Sequence, residues 1–198
     1  MSYKIAINGY GRIGRCILRS FYESTNYHDL RISAINDIAD IKTLAHLTEF
    51  DSTHGRFLGE ISSFDEKLLV NDDVILISKS HEIERLPWKD LNIDLVMECS
   101  GTFTERYIAE QHLQAGAQKV LFSQPAEQDV DATVVYGINH ELLDKEAQII
   151  SSASCTTNCV VPVLKVLDEA FGIEAGAITT IHSAMNDQPV IDLSLIHI

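Results

Sequence analysis

The glycine-rich turn Gly9-Tyr10-Gly11-Arg12-Ile13-Gly14 most constrains the fold, because a strand pattern precedes it and a helix pattern follows it. Residues 3–7 form an apolar run typical of a buried strand, and residues 12–23 carry apolar side chains at helical spacing. A second strand pattern spans residues 30–35, and Asp37 lies just beyond it. This strand–turn–helix–strand unit predicts a parallel sheet with right-handed crossovers.

The glycines of this G-x-G-x-x-G pattern have separate expected roles in binding a dinucleotide. Gly9 allows a tight turn, Gly11 lets a pyrophosphate approach the backbone, and Gly14 lets helix and strand pack closely. The helix N-terminus offers amides and a partial positive charge to the phosphates. Asp37, about 20 residues further on, would accept hydrogen bonds from the adenosine ribose and repel a 2′-phosphate. The pattern predicts NAD as the cofactor; the alternative is a turn that serves fold geometry alone, with Asp37 solvated.

The rest of the chain alternates short strand and helix patterns. Residues 67–70 and 74–77 flank Asn71-Asp72-Asp73 and predict a hairpin. The other predicted strands are 95–98, 120–122, 133–136, 149–150 and 178–182, and the other predicted helices are 41–47, 106–115 and 155–171. Gly116 and Gly172 are expected to end the last two helices.

Small polar residues surround a thiol in residues 151–159, Ser-Ser-Ala-Ser-Cys-Thr-Thr-Asn-Cys. Ser154 can cap the helix expected to begin at Cys155, and the positive helix end favours the nucleophilic thiolate. His182 follows a helix and a strand, and this return can bring it beside Cys155 as the base of an activated nucleophile. The alternatives are a buried structural thiol and a packed or solvated histidine.

The remaining cysteines, Cys16, Cys99 and Cys159, are interpreted as structural, with Cys159 the second candidate for a nucleophile. The N-terminus lacks a secretory signal pattern, so reduced thiols and a cytoplasmic protein are expected. Three residues separate Cys155 from Cys159, and no second pair or flanking histidine matches them. No metal site is therefore expected.

Composition and charge exclude several classes of protein. The 198 residues are 45% hydrophobic and 22% charged, which is typical of a globular chain. The formal net charge of −14, without any basic run, disfavours nucleic acid and anionic membrane partners. No apolar stretch is long enough to cross a bilayer.

Together these motifs resemble the glyceraldehyde-3-phosphate dehydrogenase family over residues 3 to about 192. The matching stretches are residues 7–15, 36–37, 50–57, 86–88, 98–104, 153–159 and 179–182. The resemblance implies an α/β fold: a Rossmann-type doubly wound parallel sheet in residues 1–153, which is the NAD-binding domain, followed by the beginning of an α+β catalytic domain in residues 154–198. It also implies a homotetramer when the chain is full length.

The family's functional residues carry over to matching positions of this sequence. By resemblance, the cofactor-binding residues are Gly9, Gly11, Arg12, Ile13, Gly14, Asp37, His81, Ser100 and Ser123. Cys155 attacks the aldehyde, His182 activates the thiol and takes the proton, and Ser154 and Thr156 contact substrate oxygens.

Within the family the chain is most similar to the branch that oxidises D-erythrose 4-phosphate to 4-phosphoerythronate, a step of pyridoxal phosphate synthesis. Residues 182–188, His-Ser-Ala-Met-Asn-Asp-Gln, carry this similarity. Phosphorylating members have a phosphate-binding Thr where Met185 stands here, and a thioether cannot donate a hydrogen bond. Two alternatives stay open: a phosphorylating glyceraldehyde-3-phosphate dehydrogenase, and a non-catalytic NAD-binding fragment.

Two departures from the branch bear on these expectations. An Arg commonly stands near position 81, where this chain has His81. The apolar residues 193–198 do not match the branch, and the family's second domain runs past position 198, with the residues that hold the substrate phosphate and the nicotinamide. We therefore expect a truncated chain or non-native final residues.

Overall fold

The computed structural model describes residues 2–24 and 29–181. In chain order its strands are β1 (Tyr3–Asn8), β2 (Leu30–Asn36), β3 (Phe50–Asp51), β4 (Gly55–Arg56), β5 (Ile61–Phe64), β6 (Lys67–Val70), β7 (Asp73–Ser78), β8 (Leu95–Glu98), β9 (Lys119–Phe122), β10 (Ala132–Thr133) and β11 (Ile149–Ser151). Its α-helices are α1 (Arg12–Glu23), α2 (Ile41–Glu49), α3 (Trp88–Leu91), α4 (Arg106–Gln114) and α5 (Cys155–Phe171). Short 3₁₀ helices span Ile83–Arg85 and His140–Leu142.

Most of the strands form one sheet in the order β10-β11-β9-β8-β1-β2-β7-β6-β5. Pairing is parallel from β10 to β7 and antiparallel from β7 through β6 to β5. The chain runs outward from β1 through β2 in one direction and later from β8 through β9 in the other. This is a doubly wound Rossmann-type sheet, and its switch point lies between β1 and β8. The Rossmann-type fold predicted for the part of the chain before Cys155 is confirmed.

Both faces of the sheet are covered, which explains why its central strands are apolar throughout. On one face Ile7, Leu18 and Ile35 belong to a buried cluster that α1 and α2 pack against. On the other face Trp88 and Ile108 belong to a cluster around α3 and α4. A chain with alternating polarity would leave one of these faces without a core.

The sequence patterns locate most elements to within a residue or two. The predicted hairpin is present, with Val70 paired to Asp73. The strand predicted at residues 133–136 is shorter and shifted, since only Ala132–Thr133 pairs with β11. β5, which adds the outermost strand beside β6, was missed because its alternation of Ile, Ser and Phe is too short to stand out.

The strand predicted at residues 178–182 is wrong over residues 178–181, which have no regular structure. These residues are exposed, and no described strand lies beside them to supply the hydrogen bonds of a ladder. The β-branched composition of this segment favours a strand only where a partner is present. Residue 182 lies outside the described ranges.

Helix α5 begins and ends where the sequence predicted, at Cys155 and before Gly172. Pro162 lies within it, and the helix continues through that position. None of the residues of α5 is buried.

Candidate active site and cofactor-binding edge

One edge of the sheet carries nearly all the described residues that were predicted to bind cofactor or substrate. In a parallel sheet the carboxyl ends of the strands meet at the same edge, and ligands bind there at the switch point. Gly9, Asp37 and Ser123 directly follow the carboxyl ends of β1, β2 and β9. The loops that leave β7, β8 and β11 carry the others: His81, Ser100, and Ser154 with Cys155.

The glycine turn has the backbone geometry expected of it. Gly9 has φ +86°, and a side chain there would collide with the backbone of Cys99 and Ser100. A side chain at Gly14 would collide with the Gly9 carbonyl, so this glycine sets the close approach of α1 to the turn. At Gly11, by contrast, a Cβ would meet no protein atom within 4 Å. Gly9 and Gly14 therefore serve close packing, and Gly11 leaves open space beside the backbone.

The N-terminus of α1 is suited to an anion. Gly11 is the N-cap residue and has no side chain to accept from the first amides, and no acidic residue lies in the first turn. The uncapped amides and the helix dipole together favour negative charge at this point. Arg12 is exposed and forms an ion pair with Asp51, with 3.3 Å between Nη1 and Oδ2, and Ile13 is also exposed.

Asp37 has a second contact that the sequence pattern did not reveal. Its Oδ2 accepts the backbone N–H of Tyr10 at 2.7 Å, and its Oδ1 accepts that of Ala39 at 2.9 Å. The carboxylate thereby fixes the glycine turn to the end of β2. Each oxygen can accept another hydrogen bond, so the residue is still able to bind ribose hydroxyls.

The three weaker cofactor candidates lie at the same edge. Ser100 packs its backbone against Gly9 and donates its N–H to Glu98. The N–H of Ser123 bonds to the carbonyl of Glu98 at 3.0 Å. His81 is exposed and follows Ser80, whose backbone pairs with the Asn36 side chain next to Asp37. Direct contact of these residues with a cofactor stays a prediction.

The cysteine loop turns sharply from β11 into α5. Ala153 is buried with φ +60°, an unfavourable conformation for a residue with a side chain. Ser154 caps the helix by accepting the Thr157 N–H at 3.0 Å. Cys155 occupies the first helical position and is exposed, and Thr156 beside it is half-buried. The turn places the thiol at the positive end of α5, as the sequence predicted.

His182 lies outside the described residues, as do Met185 and the rest of residues 182–188. The pairing of Cys155 with His182 therefore stays a prediction. Cys159, which the sequence analysis interpreted as structural, lies one turn along α5 and is exposed.

Comparison with known protein families decides the identity of the chain. The model described as glyceraldehyde 3-phosphate dehydrogenase, NAD binding domain, matches residues 3–106, more than half of the chain. The chain belongs to the glyceraldehyde 3-phosphate dehydrogenase family. A second match, described as glyceraldehyde 3-phosphate dehydrogenase, C-terminal domain, covers residues 154–196. The chain is thus an NAD-dependent dehydrogenase, and the NAD predicted from the glycine turn is confirmed as its cofactor.

The residues present in this dehydrogenase fit NAD. The open space at Gly11 and the uncapped start of α1 suit the phosphates, and the remaining acceptor capacity of Asp37 suits the ribose at the same edge. The domain boundary at residue 153 stays a prediction.

Two other thiols of the dehydrogenase differ in environment from Cys155. Cys99 is buried, and burial raises the pKa of its thiol to about 12. It is therefore protonated at neutral pH and unsuited to nucleophilic attack. Cys16 is half-buried on α1.

The described residues contain neither a cluster of three or more His, Cys, Asp or Glu side chains able to hold a metal ion nor a helix long and apolar enough to span a membrane. Sequence reasoning also missed Asn8, Asn36 and Glu98, the last residues of β1, β2 and β8, which are polar and buried. The signal was a polar residue at the end of each apolar strand.

Proposed function

We propose that this protein oxidises D-erythrose 4-phosphate to 4-phosphoerythronate with NAD. The observation that carries the proposal is the exposed thiol of Cys155 at the start of α5, on the edge that holds the cofactor-binding residues. The similarity of residues 182–188 to the erythrose 4-phosphate branch supports the choice of substrate.

Cys155 is the proposed nucleophile. Its sulfur forms a bond to the aldehyde carbon as the carbon–oxygen π bond breaks. The oxygen takes the proton that the thiol gives up, and the product is a thiohemiacetal. The helix end and the nearby hydroxyls of Ser154 and Thr156 support negative charge on that oxygen. The proposed general base is His182, which takes the hydroxyl proton as the carbon is oxidised to a thioester. When bound, NAD supplies the acceptor for the hydride that leaves this carbon.

Release of the product distinguishes this proposal from its nearest alternative. In hydrolysis, water adds to the thioester carbon and the carbon–sulfur bond breaks, which returns the thiol and gives the acid. In a phosphorylating enzyme inorganic phosphate is the nucleophile. Met185 cannot donate a hydrogen bond to that phosphate, which favours water.

The deciding experiment measures NADH formation from erythrose 4-phosphate and from glyceraldehyde 3-phosphate, each with and without inorganic phosphate. We expect the first substrate to react faster and without need of phosphate. Faster oxidation of glyceraldehyde 3-phosphate that requires phosphate would instead establish the phosphorylating activity.

A non-catalytic NAD-binding chain is the remaining alternative, and the exposed thiol of Cys155 at the start of α5 argues against it. A burst of NADH together with an acyl group on Cys155, detected by mass spectrometry, would exclude it. NAD binding without either signal would support it.

The proposed cellular setting follows from the same branch: a cytoplasmic homotetramer that acts on a small phosphorylated aldose in pyridoxal phosphate synthesis. Light scattering of the purified protein measures the number of subunits.

A further inference from the structure

A chain of side-chain hydrogen bonds crosses the sheet just below the cofactor edge. Asn36 Nδ2 donates to Asn8 Oδ1 at 2.8 Å, and Asn8 Nδ2 donates to Glu98 Oε2 at 2.6 Å. From the other side Trp88 Nε1 donates to His112 Nδ1 at 3.0 Å, and His112 Nε2 lies 3.1 Å from Glu98 Oε2. All five side chains are buried.

The direction of every hydrogen bond in this chain is determined. An indole N–H can only donate, so His112 Nδ1 accepts and its proton is on Nε2, which donates to Glu98. Glu98 Oε1 also accepts the backbone N–H of Ser100 at 2.8 Å. Three donors thus converge on one carboxylate, an acceptor-only group when ionised.

Electrostatics agree with an ionised Glu98. Burial by itself would raise the pKa of this carboxyl group, whereas the hydrogen bonds from His112 and Ser100 lower the pKa and favour the ionised form.

Each residue that these hydrogen bonds hold in place is next to a residue of the cofactor edge. Asn8 precedes Gly9, Asn36 precedes Asp37, and Ser100 packs directly against Gly9. Asn36 also donates to the carbonyl of Ser80 and accepts its N–H, both at 3.0 Å, and thereby holds the segment before His81. The chain of hydrogen bonds therefore reaches the ends of β1, β2, β7 and β8.

We propose that Glu98 is a positioning residue for NAD: it fixes the relative positions of the glycine turn, Asp37 and Ser100 before the cofactor arrives. The inference rests on the NAD-dependent part of the proposed function and is independent of the aldehyde substrate. Preorganised loops bind more tightly because less ordering is left to be done on binding.

The substitution Glu98→Gln tests the proposal with almost no change in shape. One carboxylate oxygen becomes an NH₂ group that faces donors. If the side-chain amides of Asn8 and Asn36 flipped so that Asn8 accepted from this NH₂ group, the NH₂ group of Asn36 would face the N–H of Ser80. If His112 instead moved its proton to Nδ1, that N–H would face the indole N–H of Trp88. No rearrangement of these side chains satisfies every group, so the cofactor edge must shift.

We expect Glu98→Gln to raise the dissociation constant for NAD about tenfold or more, measured by calorimetry on the 198-residue chain where thermal melts show it folded. The emission of Trp88, the only tryptophan, should also shift, because its partner His112 changes. The control is Asp131→Asn. Asp131, like Glu98, accepts from three donors, but these are the backbone amides of Gln148 and Ile149 and the side chain of Arg106, near the start of β11. We expect the control to lower the melting temperature and to leave NAD affinity within about twofold.

A second substitution, Asn36→Ala, keeps the test informative if Glu98→Gln does not fold. It cuts the link from Asn8 to Ser80 without stranding a charge, and we expect NAD to bind about fivefold more weakly. Unchanged NAD affinity in either folded variant, equal losses in the Asp131→Asn control, or no NAD binding by the unsubstituted chain would each overturn the proposal. Failure of erythrose 4-phosphate as substrate would not affect it.

Discussion

The two parts of the candidate site differ in how they are packed: the glycine turn belongs to the sheet region up to residue 153, and Cys155 begins the helix that follows it. The glycine turn lies on strands whose side chains are buried on both faces, whereas α5, which begins with Cys155, has no buried residue. The exposed apolar residues of α5 are Val163, Val166, Leu167 and Phe171.

Local hydrogen bonds position the cysteine loop where a core does not. Ser154 caps the start of α5, and the Asn158 side chain donates to the carbonyls of Ser152 and Ser154 at 2.7 and 2.9 Å. Gly172 ends the helix with φ +72°. We therefore expect cofactor binding to be coupled to global stability, and the nucleophile to depend on a few residues near it in sequence.

The largest expected effect is on chemistry alone. Cys155→Ser should reduce NADH formation by at least about a thousandfold, because a hydroxyl is a far weaker nucleophile than a thiolate. Its stability should stay within about 0.5 kcal/mol, since the side chain is exposed. The matched control is Cys159→Ser, which should keep full activity. Loss of activity in the control alone would assign the nucleophile to Cys159.

A matched pair of leucines tests the difference in packing. Leu18 on α1 is 0% exposed and Leu167 on α5 is 42% exposed. Leu18→Ala should lower the free energy of unfolding by about 3 kcal/mol through the cavity it leaves. Leu167→Ala should change it by less than about 0.5 kcal/mol. Urea titration measures both values, and similar losses would mean that α5 is packed in solution.

A pair of glycines separates backbone strain from steric overlap. Gly9 and Gly172 both have positive φ, but only at Gly9 would a Cβ collide with neighbouring backbone. Gly172→Ala should cost about 1 kcal/mol from strain alone. Gly9→Ala should cost more than about 2 kcal/mol and also weaken NAD binding, because overpacking adds to the strain. Equal losses in thermal unfolding would contradict the close approach of Gly9 to Ser100.

The smallest expected effect is the pH dependence of the stability that Asp131 contributes. Backbone N–H groups of Ile149 and Gln148, with Arg106, hold the pKa of Asp131 below its ordinary value. A lowered folded-state pKa stabilises the protein above about pH 4, and the contribution is lost as the pH falls through the folded value. The difference in melting temperature between the unsubstituted protein and Asp131→Asn should therefore shrink from pH 6 to about pH 3. A difference that does not change with pH would be inconsistent with this pairing.

Local sequence predicted the parts of the site that depend on neighbours along the chain. The strand before Gly9, helix α1 after it and the start of α5 at Cys155 were all located correctly. The strand predicted near residue 178 failed because a strand needs a partner that sequence periodicity does not reveal. The placement of His182 beside Cys155 has the same dependence on distant segments and stays a prediction.

Local patterns along the chain were enough to predict the glycine turn, the charge expected of its ligand and a thiol at a capped helix start, because each depends on residues within a few positions of one another. Only the folded protein shows that one hydrogen-bonded chain joins Asn8, Asn36, Glu98, His112 and Trp88. These residues come from separate strands and helices, and only strand order and register bring their donors and acceptors within bonding distance.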